Sequence, residues 1–235
     1  MQFDLLGSAA FAVFGFWIML RWEAKRGNAA GCALSLWDVG LMSGMAGLLI
    51  GRLVAMISVG INPLADPVQI ILIRSGVSTV GATLGTLAVF TWLARKSLLD
   101  AADGIAPAAL VGLAGWSAGC LATGSCLGTE SALPWATALP GSTVTRHPVE
   151  LYAAGAFLLA GIGLAMWKQY GRPPLGSVAG VALLAASLIR LATEPLRISL
   201  TGGPIYLYLA GALAGTALTT WSVLNKRKIA HSKKE

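Results

Sequence analysis

Polar and apolar positions along this chain fall into long blocks rather than the short alternations of a soluble fold. Seven apolar stretches stand out, at 5–20, 37–59, 76–94, 104–123, 149–167, 175–193 and 204–224. A helix needs about 20 residues to cross a bilayer, so the first stretch must draw on its flanks and the others suffice. Short clusters of Lys, Arg, Gly and Pro separate them. The blocks predict an all-α integral membrane protein, a seven-transmembrane-helix bundle over residues 1–225 with a basic tail at 226–235.

Composition agrees. The chain has 235 residues, 56% hydrophobic and 11% charged, where a soluble domain carries about 25% charged. Its 29 glycines point to close helix–helix packing. The net charge of +7 raises the question of nucleic acid, but the basic residues sit between apolar blocks, which is a topology signal instead. No cleavable signal peptide is expected, since the first stretch is flanked by Asp4 and has no basic region before it.

Orientation follows from Lys and Arg. If the amino terminus lies outside, then Arg21, Lys25, Arg26, Arg95, Lys96, Lys168, Arg172, Lys226, Arg227, Lys228, Lys233 and Lys234 all fall in the cytoplasm. That is 12 of the 17 basic residues, and it also leaves the carboxyl terminus cytoplasmic. The other five are Arg52, Arg74, Arg146, Arg190 and Arg197. All five are arginines, and all lie within spans or towards the outer side. Guanidinium binds phosphate or carboxylate through paired donors and tolerates partial burial better than ammonium.

The late stretch Leu188-Ile189-Arg190-Leu191-Ala192-Thr193-Glu194-Pro195-Leu196-Arg197 concentrates this feature. On a continuous helix Arg190, Glu194 and Arg197 would lie within about 60° of one another. An arginine in a span costs roughly 2.5–3.5 kcal/mol and calls for a partner, with Glu194 nearest in sequence. Pro195 should bend or end the helix near Glu194. The group reads either as a cationic site for an anionic ligand or as an Arg–Glu pair stapling two helices. In the second case the outer arginines pair separately with Asp38, Asp66, Glu130, Glu150 or Glu194.

A second motif, Arg146-His147-Pro148-Val149-Glu150-Leu151-Tyr152, places Pro148 where a helix should begin. It resembles the R-H-P-x-x-L-Y-E signature of prolipoprotein diacylglyceryl transferases. Further matches follow in order: Gly51-Arg52-Leu53, Ala65-Asp66-Pro67 with Ser75–Ser78 and Gly81, and Asp103-Gly104-Ile105-Ala106-Pro107. Then come the glycines 112, 119, 124 and 128 with Pro134-Trp135 and Pro140-Gly141, Pro174 to Gly180, and the R-x-x-x-E-x-x-R of Arg190, Glu194 and Arg197. The resemblance covers about residues 37–230. It implies a seven-span enzyme of the bacterial inner membrane, with its amino terminus outside and no cofactor. Such an enzyme moves diacylglycerol from phosphatidylglycerol to the lipobox cysteine of a prolipoprotein. The cysteine sulfur attacks a glyceryl carbon and glycerol phosphate leaves, so arginines on the phosphate would stabilise the leaving group.

The expected catalytic residues are Arg190, on the matched R-x-x-x-E-x-x-R, and His147, which does not stand at the family's histidine position. Arg52, Arg146, Tyr152, Glu194 and Arg197 are expected to bind substrate. The chain departs from the family's G-R-x-G-N-F-x-N-x-E, carrying Ser117, Cys120, Thr123 and Ser125 at four polar positions, and Val80 at the S-F-H-G histidine. His147 is the one histidine expected outside, so a histidine base would have to be that one. Cys120 and Cys126 can be packing residues, a disulfide or a reactive thiol. Zinc is not expected, because His147 and two thiols make only three ligands. Partners are then an anionic phospholipid and a prolipoprotein signal peptide. The alternatives are a non-catalytic relative that binds lipid or lipobox peptide, a subunit of a larger membrane complex, and last a transporter.

Overall fold

The apolar blocks fold as helices, and the described residues of the computed structural model (4–26, 35–65, 76–119, 127–138, 141–198 and 203–232) contain seven α-helices. They are α1 (Asp4–Ala24), α2 (Leu36–Ser58), α3 (Thr79–Leu93), α4 (Leu98–Ala118), α5 (Val149–Gly171), α6 (Ser177–Thr193) and α7 (Ile205–Ser232). Five stretches are long and apolar enough to cross a membrane: Leu36–Ser58, Leu98–Ala118, Val149–Gly171, Ser177–Leu196 and Ile205–Lys226. α3 is apolar but only 15 residues long. The chain is a helical multi-pass membrane protein. A small feature not anticipated is a pair of two-residue strands, β1 (Thr137–Ala138) and β2 (Thr145–Arg146), antiparallel with Thr137 opposite Arg146.

Local chemistry sets the helix starts. The Ser35 hydroxyl accepts from the Asp38 N–H at 3.1 Å, and Ser78 accepts from the Gly81 N–H at 3.3 Å, so each closes a first turn. Pro148 precedes α5 directly, as its missing N–H and fixed φ favour.

The core lies between α4, α5 and α6, where Leu110, Ala114, Ala153, Phe157, Leu164, Val178 and Ala182 are buried together. α1 packs on α4, α7 on α6, and α2 with α3 as a separate hairpin. Small residues make these approaches possible. A methyl group at Gly115 would strike the Phe11 backbone, and one at Gly215 would meet the Leu184 and Gly180 backbones. Large apolar side chains such as Phe14, Trp92, Leu159 and Leu213 point outwards, as a lipid-facing bundle requires.

α4 begins six residues earlier than the hydropathy pattern suggested, because Asp103 lies inside the helix rather than in the preceding loop. Its buried carboxylate accepts from the Gly176 N–H at 2.6 Å and the Ala179 N–H at 2.8 Å, capping α6 from a neighbouring helix. Gly176 has φ +86°, a conformation suited to glycine. Nearby, Lys168 pairs with buried Glu23 at 3.1 Å and reaches the Gly104 carbonyl at 3.4 Å. Two of the sequence motifs, Asp103 to Pro107 and Pro174 to Gly180, are thus halves of one structural joint.

Candidate functional site

At the other end of α4, α5 and α6 lies a second polar cluster, built from the arginine motif. α6 ends at Thr193, and Glu194–Leu196 forms one turn of 3-10 helix with Pro195 inside it. Arg197 is extended, with φ −81° and ψ 146°. The expected effect of Pro195 is present. The helical face expected for all three is kept by Arg190 and Glu194, whose N–H still bonds the Arg190 carbonyl, but not by Arg197, which lies beyond the proline turn.

What joins the two arginines is Glu150, in the first turn of α5. Its Oε1 is hydrogen-bonded by Arg197 Nη2, and its Oε2 lies 3.6 Å from Arg190 Nη1. Glu194, expected to partner Arg190, instead faces Arg197, with Oε2 3.6 Å from Nη1. Its backbone stays helical, with φ −59° and ψ −43°, and it also acts on Arg190 electrostatically from farther off. Glu194 is buried, and glycine at position 203, with φ +59°, lets the following segment pass its carboxylate where any Cβ would collide.

Arg190 is held on further sides. Nη2 donates to Ser117 Oγ at 3.3 Å, and the guanidinium carbon stands 5.2 Å from the centre of the Phe157 ring, a cation–π distance. Tyr208 of α7 interacts with Glu194, Arg190 and Arg197. Burial pushes the Arg197 guanidinium down from the ordinary arginine value, and interaction with Tyr208 opposes this. Guanidinium nevertheless stays charged, so both arginines enter the cluster as cations. Two guanidiniums face two carboxylates here. Among the described residues Arg190 Nη1 and Glu194 Oε2 are buried without a hydrogen-bond partner, so their pairings at 3.6 Å are electrostatic.

The Arg146–Tyr152 segment forms the adjoining wall. Arg146 donates to the Gly128 carbonyl at 3.3 Å and lies 3.6 Å from Glu130, both near the surface. His147 is held by its backbone, which donates to the Thr129 carbonyl at 3.0 Å and accepts from the Gly128 N–H at 2.7 Å. Its ring meets Tyr152 edge-on at 6.2 Å, and its Nδ1 is buried without a hydrogen-bond partner among the described residues. The Tyr152 hydroxyl in turn accepts from Trp135 Nε1 at 2.8 Å. Thr129 N–H donates to the Leu196 carbonyl at 2.8 Å, which ties this wall to the turn before Arg197.

Of the seven residues expected at the site, Arg190, Glu194 and Arg197 are brought together, with Arg146, His147 and Tyr152 on the joined wall. Arg52 is buried on α2, where it donates to the Gly76 carbonyl at 2.7 Å, just ahead of α3. Val80 also belongs to the α2–α3 hairpin. Cys120, Thr123, Ser125 and Cys126 lie outside the described residues, as does Arg74. No group of three or more His, Cys, Asp or Glu side chains suited to a metal occurs among the described residues.

Sequence reasoning named Glu150 only as one of several structural partners and overlooked Phe157 and Tyr208. One signal was available for Glu150. The closing glutamate of R-H-P-x-x-L-Y-E falls on Ala153, which is fully buried, and Glu150 lies three residues earlier on the same helical face. Ser117, noted as a departure from the signature, is the hydroxyl that binds Arg190.

Comparison with known proteins gives this geometry a context. The chain is 31% identical over 128 residues to the phosphatidylglycerol–prolipoprotein diacylglyceryl transferase of Pseudoalteromonas translucida, an alignment covering 53% of this chain and 48% of that protein. The chain thus spans about half the length of the curated relative it matches. The family model for prolipoprotein diacylglyceryl transferase matches residues 7–225, nearly the whole chain, and includes both arginine motifs. This chain belongs to the prolipoprotein diacylglyceryl transferase family.

Proposed function

We propose that this protein transfers a diacylglyceryl group from an anionic phospholipid, phosphatidylglycerol in the first instance, to the lipobox cysteine of a prolipoprotein in the bacterial inner membrane. The observation that carries the reading is the Arg190–Arg197 pair converging on one carboxylate beside the Arg146–Tyr152 wall, within a chain of this family. Guanidiniums that can grip one carboxylate from two sides can grip a phosphodiester likewise. In the proposed step the cysteine sulfur bonds to a glyceryl carbon, the carbon–oxygen bond to phosphate breaks, and the electron pair leaves with the phosphate that Arg190 and Arg197 hold. The thiol gives up its proton before attack, since thiolate is the nucleophile. His147 lies on the wall from which it could take that proton, and Arg146 and Tyr152 border the same approach.

The accompanying topology is seven spans with the amino terminus outside, the carboxyl terminus in the cytoplasm and the Arg146–Tyr152 segment outside. The split of basic residues supports it. Labelling of a cysteine placed at Thr145 from the cytoplasmic side would overturn that orientation.

A specific observation favours a second reading, a lipid-binding relative without transferase activity. The position of the signature arginine is Ser117, which is buried and occupied with Arg190, so it supplies a hydroxyl where the signature has a cation. Complementation of a diacylglyceryl transferase deletion, with mass spectrometry of a reporter lipoprotein, separates the two. Lipidation that depends on Arg190 supports the transferase. Well-expressed protein that binds phosphatidylglycerol but lipidates nothing leaves only the second reading.

A further inference from the structure

The arginine cluster contains its own anion. Glu150 spans the two guanidiniums with one carboxylate oxygen on each, the arrangement that the two free oxygens of a phosphodiester would adopt. The cluster is already charge-balanced, with Glu150 and Glu194 opposite Arg190 and Arg197. A phosphodiester added to both carboxylates would place three anions on two cations in a poorly hydrated site, which is strongly unfavourable. One carboxylate must give way.

The surroundings choose which. The Glu194 side chain is 6% exposed, lies against Tyr208, and is closed over at Gly203. Glu150 is 16% exposed and sits in the first turn of α5, within the Arg146–Tyr152 wall. Turned away from the arginines, its carboxylate would remain near the amino end of α5, where the helix dipole favours negative charge. Arg190 would keep Ser117 Oγ and the Phe157 face, and Arg197 would keep Glu194. The arginine pair therefore does not need Glu150 to hold its place.

We propose that Glu150 is a displaceable internal anion that competes with the headgroup phosphodiester for Arg190 and Arg197, and so sets the affinity and charge selectivity of the lipid site. Because the signature's closing acid is Ala153 here, this chain carries the competing carboxylate one turn nearer the amino end of α5. The proposal rests on the anionic-lipid reading above, and its test keeps the two apart.

The experiment measures binding of phosphatidylglycerol and of phosphatidylcholine to the purified full chain in detergent, by native mass spectrometry or calorimetry. Wild type should prefer phosphatidylglycerol, and Arg190→Ala should lose that preference. If both lipids bind wild type equally and Arg190→Ala changes nothing, the anionic-lipid reading falls. With that reading intact, Glu150→Gln should tighten phosphatidylglycerol by on the order of tenfold, the effect of removing one charged competitor for the donors, and leave phosphatidylcholine unchanged. Glu150→Asp, whose shorter arm cannot span both guanidiniums, should shift affinity in the same direction by less, and serves if Glu150→Gln does not fold. Glu130→Gln, which removes an exposed outer charge, should not tighten binding. Weaker or unaltered phosphatidylglycerol binding in both Glu150 variants would overturn the proposal and make Glu150 a strut.

Discussion

The two polar clusters of this bundle use similar residues to opposite ends. Asp103 and Ser117 are 14 positions apart on α4, about 21 Å along its axis, and each marks one cluster. At the Asp103 end both carboxylate oxygens receive a backbone N–H at ordinary hydrogen-bond length, and those N–H groups have nowhere else to go. At the Ser117 end side chains meet side chains, two of the ionic contacts stretch to 3.6 Å, and Arg197 retains 33% exposure. A carboxylate bound to backbone is fixed by the fold. A guanidinium bound to another side chain can exchange that partner for a ligand. The difference separates a joint from a site.

The comparison can be broken at either end. Lys168→Ala should have the largest effect, because it takes the paired cation from Glu23, which is 2% exposed inside the bundle and keeps only its other interactions. Removing one partner of a buried pair costs about 3–5 kcal/mol, here towards the lower figure since Lys168 keeps some exposure. A thermal melt in detergent should fall markedly, while phosphatidylglycerol selectivity per folded molecule persists.

Arg190→Ala should behave in the opposite way. Loss of one donor to developing charge costs about 10²–10³ in rate, so reporter lipidation should drop by that factor, while α-helical content by circular dichroism stays unchanged. A variant that unfolds would place Arg190 with the structural joint.

Asp103→Ala should cost about 1–3 kcal/mol of stability by leaving the Gly176 and Ala179 N–H groups unmet. Hydrogen exchange should quicken in the first turn of α6 and not at Arg190. The smallest expected effect is that of Ser117→Ala, about 1 kcal/mol for one hydrogen bond to Arg190. It should appear as a several-fold loss of phosphatidylglycerol affinity without change in the melt. A shift in the melt alone would mean that Ser117 only packs.

Much of the fold was legible in the chain because it follows from local rules. Apolar blocks of span length become helices in any bilayer protein, Pro148 and Pro195 act on their own neighbours, and glycine-rich stretches allow helices to touch. Asp103 falls just outside the apolar stretch at 104–123 because hydropathy scores a residue without its partner, and that partner lies 73 positions away at Gly176. Glu150 presents the same difficulty. Its charge and place at the head of α5 were visible, but its two arginines arrive from α6 and from the chain beyond a proline turn.

By itself, then, the sequence determined that the chain is a bundle of apolar helices, that five of its arginines are set apart from all of its lysines, and that Arg190 needs an acidic partner. Only the tertiary structure decided that Glu150 joins Glu194 as a partner of Arg190, that Arg52 meets the Gly76 carbonyl, and that Ser117 meets Arg190. The reason is one of range. Burying a charge imposes a requirement that one residue can state, but the partner that meets it is chosen by which helix ends come together.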